Sequence, residues 1–189
     1  MMNPERQRTR EGILFFVLFA LTIPAANWLI GNLGTACVSP HGPCLVPVAP
    51  GLMAPSGVTM VGVALVLRDL VQRRLGAAIS GSAILVGSGL SALFAPASLV
   101  VASATAFFLS ECADLAVYTP LARRRLVTAV IASSCAGLVV DSIVFLWLAF
   151  GSLDFLAGQV VGKAWMVLLS TPLVGWLRRR DERLGIMPA

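Results

Sequence analysis

The chain has 189 residues, of which 58% are hydrophobic and only 12% charged, and its mean hydropathy is +0.89. This composition excludes an ordinary soluble domain, and the apolar residues form long blocks instead of periodic stripes. Blocks of about 20 residues match the hydrocarbon thickness of a bilayer. The net charge of +5 does not indicate nucleic-acid binding, because the arginines form short clusters between apolar blocks and no basic face with interleaved aromatic residues.

The apolar blocks predict an all-α membrane protein with six transmembrane helices. The blocks cover residues 12–31, 52–67, 76–94, 97–119, 126–150 and 158–177. The second block is short and contains Pro55 and Gly57, so we expect it to begin irregularly or to tilt. The first block is longer than the apolar region of a signal peptide and lacks a convincing cleavage site, which favours a retained span.

The basic residues predict the orientation of these spans. Thirteen of the fourteen Lys and Arg fall on one side of a six-span drawing. The positive-inside rule then places both termini in the cytoplasm of a bacterial cell, with the chain crossing the cytoplasmic membrane several times. We expect one membrane domain over residues 1–189, with a basic cytoplasmic tail at about 178–189. The clusters are Arg6, Arg8 and Arg10; Arg68, Arg73 and Arg74; Arg123, Arg124 and Arg125; and Arg178, Arg179, Arg180 and Arg183.

The one substantial loop, at about 32–50, is predicted on the outer face. It carries no formal charge and is rich in Pro and Gly, so a regular helix is not expected there. It could fold back over the outer mouth of the bundle as a lid, or it could be a constrained connector. Cys37 and Cys44 lie in this loop, where a disulfide is possible on the oxidising side of the membrane. No Cys or His spacing indicates a metal site, and no cofactor is predicted.

Four ionisable residues interrupt the predicted spans: Glu111, Asp114, Asp141 and Lys163. Each would cost roughly 2.5–3.5 kcal/mol if it faced lipid at the centre of a helix. They are therefore expected to turn inward, toward each other, water or a polar ligand. Three carboxylates against one lysine leave an excess of acceptors, which suits a ligand rich in N–H donors or a coupling proton.

Topology and helical spacing predict that five polar residues converge in the middle-to-outer membrane. The convergent set is Asn27, Glu111, Asp141, Gln159 and Lys163, and it forms the predicted substrate pocket. Asp114 lies nearer the cytoplasm, where it could serve a gate or carry a coupling proton. A purely structural reading stays open, in which Lys163 pairs with Asp141 or Glu111 as an interhelical tie. For Arg68 and Asp69, the default expectation is a surface ion pair.

Several short motifs in this order resemble those of the vitamin uptake transporter (VUT) family, which contains bacterial queuosine-precursor transporters. They are APSG at 54–57, LRDL at 67–70 with Gly76, SECAD at 110–114 with Tyr118, Asp141-Ser142, and GQVVGK at 158–163. The resemblance implies a six-helix fold similar to the substrate-binding subunits of energy-coupling-factor vitamin transporters. It also implies a 7-deazaguanine cargo such as preQ0 or preQ1, a purine-like small molecule.

The predicted pocket suits such a cargo. A carboxylate of Glu111 or Asp141 could accept the adjacent N–H and NH2 donors of the base, with Gln159 and Lys163 on the carbonyl side. The ring could then be buried against Phe107, Phe108 or Trp165.

The leading functional hypothesis is a transporter that works alone, with proton coupling left open. The alternative is a binding subunit that needs an energising partner. Such subunits dock through an AxxxA pattern in the first helix, whereas here Ala20 is followed four residues later by Pro24. An intramembrane enzyme is not predicted, because no nucleophile–base or metal motif is found. A purely structural membrane protein and an oligomer both stay open.

Overall fold

The computed structural model describes residues 4–37, 43–122 and 124–189. The predicted loop residues Pro40, His41 and Gly42, and Arg123 of the third arginine cluster, lie outside the described residues. The helices are α1 (Pro4–Asn32), α2 (Val58–Leu75), α3 (Ala77–Phe94), α4 (Val100–Leu121), α5 (Leu126–Phe150) and α6 (Leu156–Leu184). A 3-10 turn (Ala97–Leu99) precedes α4, and the strands are β1 (Ala36–Cys37), β2 (Cys44–Ala49) and β3 (Leu52–Pro55).

Glycines with positive φ set two of the helix ends. Gly76, with φ of +91°, stands alone between α2 and α3, and Gly151, with φ of +64°, follows α5. Residues with a Cβ rarely adopt this conformation, so glycine allows the chain to leave each helix sharply. The tight turn at Gly76 brings α3 back along α2, with which it is in contact.

The second predicted span was wrong at both ends. Residues Leu52–Pro55 form β3 instead of helix, and α2 begins only at Val58 and continues to Leu75. Pro55 closes the strand, a position that a residue without an N–H donor tolerates. The prediction ended the span at residue 67 because charged residues begin at Arg68, but Arg68 and the charged residues after it lie inside α2.

The outer loop forms a three-stranded antiparallel sheet in the order β1-β2-β3, which the all-α prediction lacked. Cys37 and Cys44 face each other across β1 and β2 and are joined by a disulfide. The register shifts between Pro47 and Ala49, and this irregularity accommodates a proline in the central strand. The sheet packs against α6 and α1, so it is anchored to one end of the bundle.

Five helices, α1 and α3 to α6, are long and apolar enough to cross a membrane. Helix α2 does not meet that criterion, because its 18 residues include Arg68, Asp69, Arg73 and Arg74. All four side chains are at least nine-tenths buried, so they face other helices and not lipid. Because these charged side chains do not face lipid, α2 could cross the membrane without the cost of exposing them to it. A sixth span and the cytoplasmic orientation of the termini stay predictions.

The outer surface of the bundle is apolar and its interior contains most of the charge within the spans. Leu85, Val101 and Leu169 are each about two-thirds exposed, whereas Arg68 and Lys163 are almost completely buried. This distribution is the reverse of that in soluble proteins. It is the distribution expected when lipid surrounds the helices.

Arginines from several of the predicted clusters meet at one end of the bundle, whereas Arg68 lies inside it. Arg74 Nε donates to Glu11 Oε2 at 3.0 Å, which joins the end of α2 to the start of α1. Arg124, at the turn between α4 and α5, lines the same surface pocket as Arg73 and Arg178.

The predicted basic tail at 178–189 is not a separate tail. Helix α6 continues to Leu184, and Asp181 on its last turns accepts hydrogen bonds from Arg73 and Arg74 at 2.8–3.0 Å. The final residue also joins this end, since the Ala189 N–H donates to the Arg73 carbonyl at 3.0 Å. The segment therefore docks on the end of α2.

Glycines allow α2 and α6 to approach closely. A Cβ placed at Gly62 would lie 2.8 Å from the carbonyl oxygen of Lys163, and one at Gly162 would lie 2.7 Å from Val58 Cγ2. Small residues support such backbone contacts in membranes, where packing replaces the hydrophobic driving force. This contact fixes the position of the Lys163 backbone.

We therefore expect Gly62→Ala to destabilise the protein by about 1–3 kcal/mol, because the new methyl group meets backbone that cannot move independently. Gly175→Ala on α6 is the matched control, since a Cβ there meets nothing within 4 Å. Thermal unfolding of the detergent-purified variants measures the difference. Equal unfolding temperatures for the two variants would contradict the close contact.

Candidate functional site

A central cavity lies within the helices and receives side chains from all six. Most of the lining is apolar, and the ionisable side chains are confined to α5 and α6. One lining residue from each helix in chain order is Asn27, Val61, Ser91, Phe107, Asp141 and Lys163.

The charged edge of the cavity is organised by Lys163. Its Nζ donates to Asp141 Oδ2 at 2.5 Å, to Gln159 Oε1 at 2.5 Å and to Ser142 Oγ at 2.8 Å. An ammonium group has three N–H donors, so this set uses all of them. Lys163, Gln159 and Ser142 are at least 98% buried. The predicted pairing of Lys163 with Asp141 is therefore present, and it fixes two cavity side chains.

Polar atoms remain available on the cavity side of this arrangement. In the described part of the chain, no hydrogen bond engages Asp141 Oδ1, Gln159 Nε2 or Asn27 Oδ1. Asn27 is held by a bond from its Nδ2 to the Ile23 carbonyl at 2.9 Å, one turn earlier in α1. The cavity thus presents two free acceptors and one free amide donor group.

The sequence grouped Glu111 with these residues, but the structure places it elsewhere. Glu111 does not line the cavity, and its Oε2 instead accepts a hydrogen bond from Arg68 Nε at 3.0 Å. Glu111 lies there because α2 extends past residue 67 and places the buried guanidinium of Arg68 opposite α4. Asp114, one turn further along α4, forms an ion pair with the same guanidinium. Four of the five predicted pocket residues therefore converge, and Glu111 joins Asp114.

Arg68, Asp69, Glu111 and Asp114 form what we call the Arg68 cluster. Arg68 Nη1 lies 3.1 Å from Asp69 Oδ1, and Asp69 Oδ2 accepts from Ser133 Oγ at 2.8 Å. The cluster therefore ties α2 to both α4 and α5. Gln72 extends it, because its Oε1 accepts from Arg68 Nη1 at 3.1 Å and its Nε2 donates to Thr119 at 3.0 Å.

The expectation of a surface ion pair at Arg68 and Asp69 was wrong, since both side chains are 0% exposed. Arg68 lies seven residues before the end of α2, which is about 10 Å along a helix. Sequence reasoning missed this depth because it ended the span at the first charged residue. The signal that could have found it was the pair of carboxylates on α4, which needed a buried cation as a partner.

Of the three aromatic residues predicted to contact the ligand, only Phe107 lies at the cavity. Phe107 lines the cavity together with Phe145, and both rings are about nine-tenths buried. Phe108 and Trp165 are 40% and 51% exposed on the outer surface of the bundle. They are therefore not placed to contact a ligand in the cavity.

We expect Arg68→Lys to lower the unfolding temperature strongly. A lysine cannot reproduce the planar fork that contacts three carboxylates, and each lost hydrogen bond to a charged group costs about 1.5–3 kcal/mol. Arg178→Lys is the control, because Arg178 is 45% exposed and pairs with Glu182 at the surface, where such pairs contribute little. The cluster's structural role would be contradicted if both variants unfolded like the parent chain.

A family model described as "Putative vitamin uptake transporter" matches residues 89–177, somewhat less than half of the chain. No curated protein and no solved structure matched. The matched segment includes Glu111, Asp114, Asp141, Gln159 and Lys163, and leaves out α1, the sheet and α2. From α4 to the end of its apolar part in α6, the chain is thus similar to a family of membrane transporters.

Proposed function

We propose that this chain is a bacterial cytoplasmic-membrane transporter that imports a 7-deazaguanine queuosine precursor, such as preQ0 or preQ1, through the central cavity. The observation that carries the proposal is the Asp141–Lys163 pair at the wall of a cavity lined by all six helices. A membrane protein that buries such a pair beside open space is handling a polar molecule. The family match supports transport over catalysis.

The free atoms of the cavity match the edge of a guanine-like base. Such a base presents adjacent N–H and NH2 donors, which a carboxylate accepts, and a carbonyl that needs a donor. Asp141 offers Oδ1 and the second lone pair of Oδ2, and the amide of Gln159 is the available donor. Lys163 has no N–H left for the ligand, so we assign it to positioning these two residues.

The ring of the base would be buried against the apolar wall. Phe107 and Phe145 supply aromatic surface there, and Ile23, Val61 and Ala64 complete an aliphatic surface. Two or three hydrogen bonds involving a charged partner, at about 1.5–3 kcal/mol each, together with ring burial would give an affinity on the order of micromolar.

The thermal stability of the detergent-purified protein tests the cargo class. A ligand that binds only the folded state at a hundredfold excess over its Kd should add about 2.7 kcal/mol, which corresponds to a rise of about 5–10 °C. We expect this rise with preQ0 or preQ1, and none with riboflavin or biotin. A rise with a vitamin alone would overturn the proposed cargo.

Uptake of preQ1 by liposomes that contain only this chain tests whether a partner is needed. Such uptake would exclude an obligatory energising partner.

Two asparagines on α1 provide a matched pair for the site. Asn27 and Asn32 each donate to the carbonyl four residues earlier, at 2.9 and 2.8 Å, but Asn27 lines the cavity and Asn32 is exposed. We expect Asn27→Ala to weaken preQ1 binding about threefold to tenfold, the worth of one hydrogen bond, and Asn32→Ala to leave it unchanged. Isothermal titration of the purified variants measures both affinities.

Asp141→Asn should weaken binding further, by about tenfold to a hundredfold, because it removes the charged acceptor. Asp154→Asn, in the exposed turn before α6, carries the same chemical change away from the cavity and should bind as the parent chain does. If Asp141→Asn and Asn27→Ala both retained full affinity, the cavity would not be the binding site.

A further inference from the structure

The Arg68 cluster contains more carboxyl groups than cations, and its burial makes the resulting charge imbalance costly. Three carboxylates, those of Asp69, Glu111 and Asp114, surround one guanidinium, and all four side chains are at most 2% exposed. With every group ionised, the cluster would carry two uncompensated negative charges. Isolated buried charges cost so much free energy that the group neutralises instead.

Two of these carboxyl groups, those of Asp69 and Asp114, lie against the same guanidinium. Asp69 Oδ1 lies 3.1 Å from Arg68 Nη1, and Asp114 forms an ion pair with Nη2 of the same guanidinium; like charges held this close together in a buried site favour a proton on one of them. Each also keeps a buried oxygen, Asp69 Oδ1 and Asp114 Oδ2, without a hydrogen bond from any described residue. Asp69 Oδ1 lies near Arg68 Nη1 at 3.1 Å but outside hydrogen-bond geometry.

A second observation comes from Tyr118, one turn beyond Asp114 on α4. Its side chain is 0% exposed, its ring lies 5.8 Å from the Arg68 guanidinium carbon, and its hydroxyl has no hydrogen-bond partner within the described residues. The hydroxyl lies within electrostatic range of Asp69 and Asp114. A buried donor left unsatisfied beside unsatisfied acceptors is costly, and such an environment suits a site whose protonation can change.

We propose that Asp69 and Asp114 share one bound proton beside Arg68, and that this proton is the ion that drives transport. The proposal rests on the transport function argued above and adds its coupling site. A shared proton lowers the imbalance from two charges to one.

The remaining charged groups connect this site to the cavity. Glu111 accepts from Arg68 and also lies within electrostatic range of Asp141. Asp141 in turn bonds Lys163, whose backbone packs on Gly62 of α2, two turns before Arg68. Arg73, which lies within range of Tyr118, is bound to Asp181, and Arg74 is bound to Asp181 and Glu11. A ligand that binds Asp141 would act on the shared proton along this route, through Glu111 and Arg68.

Infrared spectroscopy of the purified protein tests the proton without any substrate. We expect the C=O stretch of a protonated carboxylic acid at neutral pH, its shift in D2O, and its loss in Asp69→Asn and in Asp114→Asn. Asp154→Asn, an exposed aspartate, should leave the band unchanged. Absence of the band in the parent chain, or its persistence in both cluster variants, would overturn the proposal whatever the cargo is.

Liposomes that contain the purified chain and a trapped pH indicator test the coupling. Added preQ1 should acidify the interior, and an imposed proton gradient should drive its accumulation. Asp69→Asn and Asp114→Asn should lose the acidification and the gradient-driven accumulation. Both variants should still bind preQ1 and exchange internal for external preQ1. Asp154→Asn should behave as the parent chain.

The failures of the two proposals are distinguishable. If the parent chain binds and accumulates preQ1 without proton entry, or only with sodium, the coupling site is overturned while the transport function stands. If the parent chain neither binds nor moves preQ1, the transport proposal fails, and with it the coupling role. The infrared band then decides whether the shared proton exists.

Discussion

A single buried guanidinium determines how α2 sits among its neighbours. Arg68 bonds Glu111 and Asp114 on α4, and its neighbour Asp69 reaches Ser133 on α5. In lipid, no solvent competes for these groups, so each unmade bond would leave a charge without compensation. Helix α2 can therefore cross the bundle only in the position where all of these contacts are made. The cavity depends on that position, because the first half of α2 forms part of its wall.

The charged interior is divided into two sites of different character. At the cavity, one lysine and one aspartate balance each other, and the donors of Lys163 are fully used. At the Arg68 cluster, the acids outnumber the base and several polar atoms lack partners. A balanced, saturated arrangement suits a rigid binding surface, since it holds its ligand-facing atoms in one geometry. An unbalanced arrangement suits a site that gains and loses charge.

Much of this arrangement could be predicted from hydropathy and charge, and the remainder required tertiary contacts. The apolar blocks predicted helices α1 and α3 to α6, because block length and bilayer thickness are directly related. Depth in the membrane predicted that Lys163 could pair with Asp141 or Glu111, and the choice between these two required the structure. The sheet was not predictable from apolar content, and Arg68 was misplaced because a charge at a drawn span end resembles a loop residue. Glu111 was assigned to the cavity for the same reason: its actual partner, Arg68, had been placed at the surface.

The ion pairs of Arg73 and Arg74 with Asp181 and Glu11 hold three helices together at one end of the bundle. They join α1, α2 and α6 at the end where the arginine clusters meet, and the side chains of Arg74 and Asp181 are each 1% exposed. Salt in the surrounding water screens such buried pairs only weakly. The cavity lies toward the sheet, at the other end of α2. Under the transport function proposed above, release at the arginine-rich end would require these pairs to break together, and their separation would then be the slow step.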